Sequence, residues 1–100
     1  MTMEALFNNV ENAIAQYEQA CEQEETLYDM MRDAENDMNR YSSQASSSED
    51  ASDQRAALEQ MRAVALRYQQ CQNQLQQVQA AKSQALRYLQ ATRSELTNVI

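Results

Sequence analysis

Few side chains in this sequence are of a type that does chemistry, and their spacing works against it. Cys21 and Cys71 are the only thiols, and histidine is absent, which removes the commonest general base and metal ligand. Two cysteines far apart in sequence, with no CxxC, do not make the ligand set that zinc requires. They are also too few for a disulfide framework. Glu22, Glu24 and Glu25 are closely spaced acids of the kind that can hold a metal or share a proton, but on a helix they read as a solvated acidic face. The Glu-x-x-His repeat of di-iron bundles is impossible without histidine. With no glycine anywhere there is no phosphate-cradling loop and no nucleophile elbow. The expectation is a non-enzymatic chain with no catalytic residue, no metal and no cofactor.

The elements that would position any site follow from heptad spacing. From Asp53 to Ile100 the sequence reads as one helix. Met61, Tyr68, Leu75, Leu89 and Leu96 share heptad position a, and Ala57, Val64, Cys71, Val78, Ala85 and Val99 share position d. Leu58, Ala65, Leu86 and Ile100 add a row at e. The first helix repeats the pattern from Met3, with Met3, Val10, Tyr17, Met31 and Met38 at a and Leu6, Ala13, Ala20, Leu27, Ala34 and Tyr41 at d. Phe7, Ile14, Cys21 and Tyr28 form its e row. A two-stranded seam needs only a and d, whereas a third row suits a helix packed into a bundle. At 1.5 Å per residue the second helix would run roughly 70 Å, too long to cover its own apolar face.

Glycine and proline are both missing, and with them the turn chemistry of sheets. The expected class is all-α: an antiparallel hairpin of two long helices that assembles into a four-helix bundle or pairs with a helical partner. One domain spans 1–100, with a helix at 3–41, a Ser-rich loop at 42–48 ("SSQASSSEDAS" lacks apolar period) and a helix at 49–99. Thr2 is the candidate cap of the first helix. For the second, Ser46 with Glu49 has capping-box spacing, and Asp50 and Ser52 are later candidates. Opposing a to d leaves two registers. The tighter one sets Val10 against Val78, Met31 against Ala57 and Met3 level with Ala85. The looser one sets Leu6 against Leu89, Leu27 against Tyr68 and Met3 level with Thr92. Neither brings Cys21 level with Cys71, so two free thiols are expected.

Both registers leave the end of the second helix projecting beyond the first. That end carries Leu96, Val99 and Ile100, and in the tighter register Leu86 and Leu89 as well; these five are the expected partner-binding residues, since leaving each in water forgoes about 1.5–3 kcal/mol. Glu24 and Lys82 each interrupt an a row. Two readings stand: each snorkels to the rim of the stripe, or together they form a polar layer that fixes register. Met30, Met31, Met38 and Met61 cluster near the loop end, either filling core or offering an adaptable surface.

The net charge of −7 and pI of about 4.4 argue against binding nucleic acid or anionic membranes through bulk charge. Ten acids lie in the first helix against Arg32 and Arg40, while six basic residues face five acidic ones from Ser42 onward. No apolar run reaches the ~20 residues of a membrane span. The N-terminus has no basic region and apolar block of the secretory kind, so a cytoplasmic protein is expected, with export lacking a cleaved signal as the alternative.

The layout, across the whole chain, resembles the Trp-x-Gly hairpin family of small proteins exported by type VII secretion systems. That resemblance implies a helical hairpin, pairing into four-helix dimers and export without a cleaved signal. The diagnostic motifs are missing. "YSSQASSSED" occupies the bend where Trp-x-Gly belongs, and Thr92 stands where an acid would follow Tyr88 in the Tyr-x-x-x-Asp/Glu export signal. The partner hairpins of LXG toxins, which act as targeting chaperones, are similar and tolerate those departures better. The needle and chaperone hairpins of type III secretion are similar too, although needle subunits usually carry proline in the bend. No residue is carried over as functional. The expected function is a protein–protein interaction module, a small secretion factor or targeting chaperone, with a homodimer or a helical protein as partner. The alternatives are an acidic decoy that occupies a basic nucleic-acid-binding surface, as a phage inhibitor would, and a structural coiled-coil subunit.

Overall fold

The computed structural model describes residues 1–99. It is an all-α helical hairpin: α1 spans Met3–Ser47, α2 spans Ala51–Val99, and residues 48–50 turn the chain between them. Thr2 caps α1 as its side chain predicts. Its Oγ1 accepts a hydrogen bond from the Ala5 N–H at 3.1 Å, and its carbonyl accepts from the Leu6 N–H at 3.0 Å. Glu4 in the first turn complements the positive end of the helix dipole.

The end of α1 corrects the sequence reading. The serines expected to form a loop at 42–48 continue the helix as far as Ser47. Serine disfavours helix interiors because its hydroxyl competes for backbone partners. Here that hydroxyl bonds inside the helix instead: Ser46 Oγ donates to the Ser42 carbonyl at 3.0 Å, and Ser47 Oγ to the Gln44 carbonyl at 3.4 Å. The heptad also persists, because Ala45 at a and Ser48 at d are half-buried. Among the candidate caps of α2, Asp50 is the one used. Its Oδ1 accepts from the Ser52 N–H at 2.9 Å, and its carbonyl from the Gln54 N–H at 3.0 Å. Such a cap is worth about 1 kcal/mol. The Gln54 side-chain amide donates to the Ser48 carbonyl at 2.7 Å, tying the turn shut without glycine.

The hairpin divides into two compact units, one of Met1–Glu25 with Gln76–Ile100 and one of Thr26–Leu75. In the second, which contains the turn, Leu27, Met31, Val64 and Leu75 are buried around Ala34, Ala57 and Cys71. Met38 and Met61 are half-buried beside them, so three of the four clustered methionines fill core and Met30 alone is exposed. The first unit has a thinner core of small side chains, with Leu6, Ala13, Ala20, Ala85 and Thr92 buried. The Thr92 hydroxyl donates to the Leu89 carbonyl at 3.0 Å, which satisfies its burial. Cys21 is half-buried in the first unit and Cys71 buried in the second, and both are free thiols.

Within each unit the pairing is looser than either expected register. In the turn unit Glu35 meets Tyr68 and Asp37 meets Arg67. In the other unit Glu24 meets Lys82, and Ala20 shares a groove with Ala85. Ala85 therefore lies near Ala20, far along α1 from the Met3 position it takes in the tighter register. The cause is the turn. Carrying α1 through the serines and closing in three residues moves the bend from 42–48 to 48–50, so in each unit α1 residues meet later residues of α2 than either expected register gives.

Candidate partner-binding surface

The shifted register removes the projecting end on which the sequence reading relied. Thr92 and Leu6 are each 4% exposed, so the last turns of α2 and the first turns of α1 are covered together. Leu89 and Leu96 are half-buried in that seam. Leu86 and Val99 remain exposed, at 39% and 56%. Ile100 lies outside the described residues. Of the expected set, Leu86 and Val99 are the described residues left exposed, Leu86 because of the e row it occupies and Val99 because it lies at the end of α2.

The a and d rows of both helices are buried or half-buried nearly throughout, with Met3 and Val99 exposed at the ends. Two rows are enough to close an antiparallel pair. The third row is surplus. Phe7, Tyr28, Leu58 and Leu86, all at e, are 55%, 46%, 52% and 39% exposed, and Leu66, at f, is 55% exposed. Sequence reasoning saw this row but counted it toward the buried stripe. The opposite flank differs in character. In the first unit it is a groove lined by Gln16, Gln23, Ala81, Gln84 and Tyr88, and in the turn unit one lined by Gln44, Ser47 and Gln60. Each unit thus has a largely polar flank and an apolar one.

The polar ties between helices run from acids on α1 to donors on α2. Arg67 Nη2 donates to Asp37 Oδ2 at 2.8 Å, and the Tyr68 hydroxyl donates to Glu35 Oε1 at 3.2 Å. Lys82 Nζ donates to Glu24 Oε1 at 3.1 Å. The two residues that interrupt the a rows therefore meet in one polar layer, with side chains 31% and 18% exposed. Lys82 also sits 6.0 Å from the centre of the Tyr17 ring. A charged layer in a seam of alanines penalises every slipped register, because slipping strands both charges against apolar side chains.

No known protein family, curated protein or solved structure matches this chain. Among the described residues no helix is long and apolar enough to cross a membrane. Nor does any group of three Cys, Asp or Glu converge as metal ligands would.

The polar layer has a pH signature. The hydrogen bond from Lys82 to Glu24, and then the Glu24 charge, hold the Lys82 ammonium above its ordinary pKa. Desolvation, followed by the hydrogen bond to Glu35, raises the Tyr68 phenol likewise. A group whose folded pKa is raised contributes stability that is complete below its unfolded value and is lost as pH climbs through the folded one. Melting temperature should therefore change little on account of these groups near neutrality and fall above about pH 10, where lysine and tyrosine ordinarily titrate. Lys82→Met should flatten part of that alkaline fall. An unchanged fall in the variant would mean that the layer carries none of it.

Proposed function

We propose that this chain is a non-enzymatic protein–protein interaction module that binds a helical partner through its exposed e-row side chains. The observation that supports this is the surplus third row: the hairpin closes with a and d, and Phe7, Leu58 and Leu86 stay in water. Each unit carries part of the row, Phe7 and Leu86 in one and Leu58 in the other, and recognition between helices reads apolar side chains repeated along one helix face in this way. Secretion, as a small exported factor or a targeting chaperone, is the process that the resemblance of layout implies for the module.

The test is a triple variant, Phe7→Ser, Leu58→Ser and Leu86→Ser. Because these side chains are only partly covered, each change should shift hairpin stability by about 1 kcal/mol, and circular dichroism checks that the triple variant stays helical. The same changes should abolish association, whether with itself in light scattering or with proteins retained from its own host. The reading falls if the triple variant keeps every association of the natural chain. An acidic decoy instead predicts binding indifferent to the three serines and steeply weakened by salt.

A further inference from the structure

In the unit of Met1–Glu25 with Gln76–Ile100 the apolar side of the seam has two unlike edges. The g positions of both helices there, Gln16, Gln23, Ala81 and Tyr88, line one groove. The e positions of both therefore share the opposite side, where Phe7, Ile14 and Cys21 of α1 run beside Leu86 of α2. Phe7 and Leu86 are exposed, Ile14 and Cys21 half-buried. Outside this row on α1 lies a row of acids. Glu4, Glu11, Glu18 and Glu25 recur every seven residues, each three positions before an e residue, and all four are exposed. Their spacing is roughly 10 Å along the axis. No ion pair among the described residues involves any of them. The matching edge of α2 is uncharged, with Gln76, Ser83, Gln90 and Thr97 along it, and Arg93 at e is the cation on that side.

Acids on a helix surface are by themselves a solvated face, and an apolar row by itself asks only to be covered. Together they specify the cover. Phe7 and Leu86 leave water by meeting another apolar surface, and a surface that follows their heptad spacing is an apolar row on a helix. Carboxylates at the rim of that contact lose part of their water, and like charges set against them repel. An occupant with a cation beside each acid turns this loss into attraction. The α2 edge, uncharged and joined by Arg93, calls for no cation. The chain itself carries a net charge of −7, so a second copy is a poor match.

We infer that this flank takes an amphipathic helix of a different protein, with lysine or arginine repeated at heptad spacing along the edge that lies against α1 and uncharged side chains along the other. This rests on the interaction-module reading above and names the chemistry of the partner.

Two synthetic peptides of about three heptads test it. They share a leucine row and a glutamine edge; along the second edge one carries lysine and the other glutamate. In fluorescence anisotropy the natural chain should bind the lysine peptide, and the glutamate peptide at least about tenfold more weakly. Glu11→Gln with Glu18→Gln should weaken the lysine peptide by at least about tenfold without weakening the glutamate peptide. Glu49→Gln with Glu59→Gln removes the same charge from the turn unit and should change either affinity by less than about twofold, because distant charges are screened. Circular dichroism should show unchanged helix content in both double variants. The inference is overturned if neither peptide binds, if both bind alike, or if the two double variants weaken the lysine peptide equally, which is attraction by bulk charge. Peptides that bind alike and are lost in the triple serine variant overturn the basic edge alone and keep the interaction-module reading. Binding of the lysine peptide that survives the triple serine variant removes that reading and this inference together, because the acids then act without the apolar row.

Discussion

Leu27→Ala is expected to destabilise the hairpin by about 2–5 kcal/mol. Leu27 is 6% exposed in the core of the turn unit, with Met31, Val64 and Leu75 the other large buried side chains there. A chain of this length has a total stability of about 5–15 kcal/mol, so the loss is a substantial part of the whole. The cost combines the transfer of the missing methyl and methylene groups with the cavity that a helix pair cannot collapse to fill. Urea unfolding followed by circular dichroism measures it, with Leu66→Ala as the comparison. Leu66 is 55% exposed, and its truncation should cost under about 0.5 kcal/mol. Equal losses from the two variants would mean that Leu27 is not core.

The second large effect runs in the other direction of size. Ala13 in the first unit is 0% exposed, and its methyl sets how closely α1 and α2 approach there. Ala13→Leu adds volume with no void to receive it. The expected loss is about 1–3 kcal/mol, and it should be local. Hydrogen exchange should show protection falling in 1–25 and 76–99 while 26–75 stays protected, because that unit packs its own core around Leu27 and Val64. Uniform loss of protection would mean that the two units open as one. Ala13→Gly serves as comparison: it creates no clash, and it costs about 1 kcal/mol of helix propensity and about 0.8 kcal/mol for the buried methyl.

The class and the buried rows were legible because both rest on periodicity. Ala34, Val64 and Cys71 fall in the seam where the heptad places them, and nothing in composition competed with two helices. The turn was not legible. A run of serines carries loop propensity, and only the hydroxyls' bonds to the preceding turn at Ser42 and Gln44 make it a helix end. That local outcome fixed everything measured from the bend, including the register and the vanished overhang. Of the five residues placed on that overhang, Leu89 and Leu96 are half-buried while Leu86 and Val99 are exposed. The e row was in view, yet sequence alone does not say whether a third row is closed within the chain or by another molecule. Phe7 and Leu58 became candidates once a and d were seen to close the pair unaided. The acid row beside Phe7 was readable from spacing too, since Glu4, Glu11 and Glu18 sit three positions ahead of the e residues.

The three-residue turn also sets an order of assembly. In the turn unit the helices meet through residues 30 and 33 positions apart, Asp37 with Arg67 and Glu35 with Tyr68, whereas Glu24 and Lys82 are separated by 58. Closing the longer span directly costs roughly 0.6 kcal/mol more in chain entropy for the doubled length. The turn unit is the natural nucleus, from which pairing advances toward the termini as a zipper. Residues 1–25 therefore pair last, because their partners in 76–99 lie farthest from them along the chain.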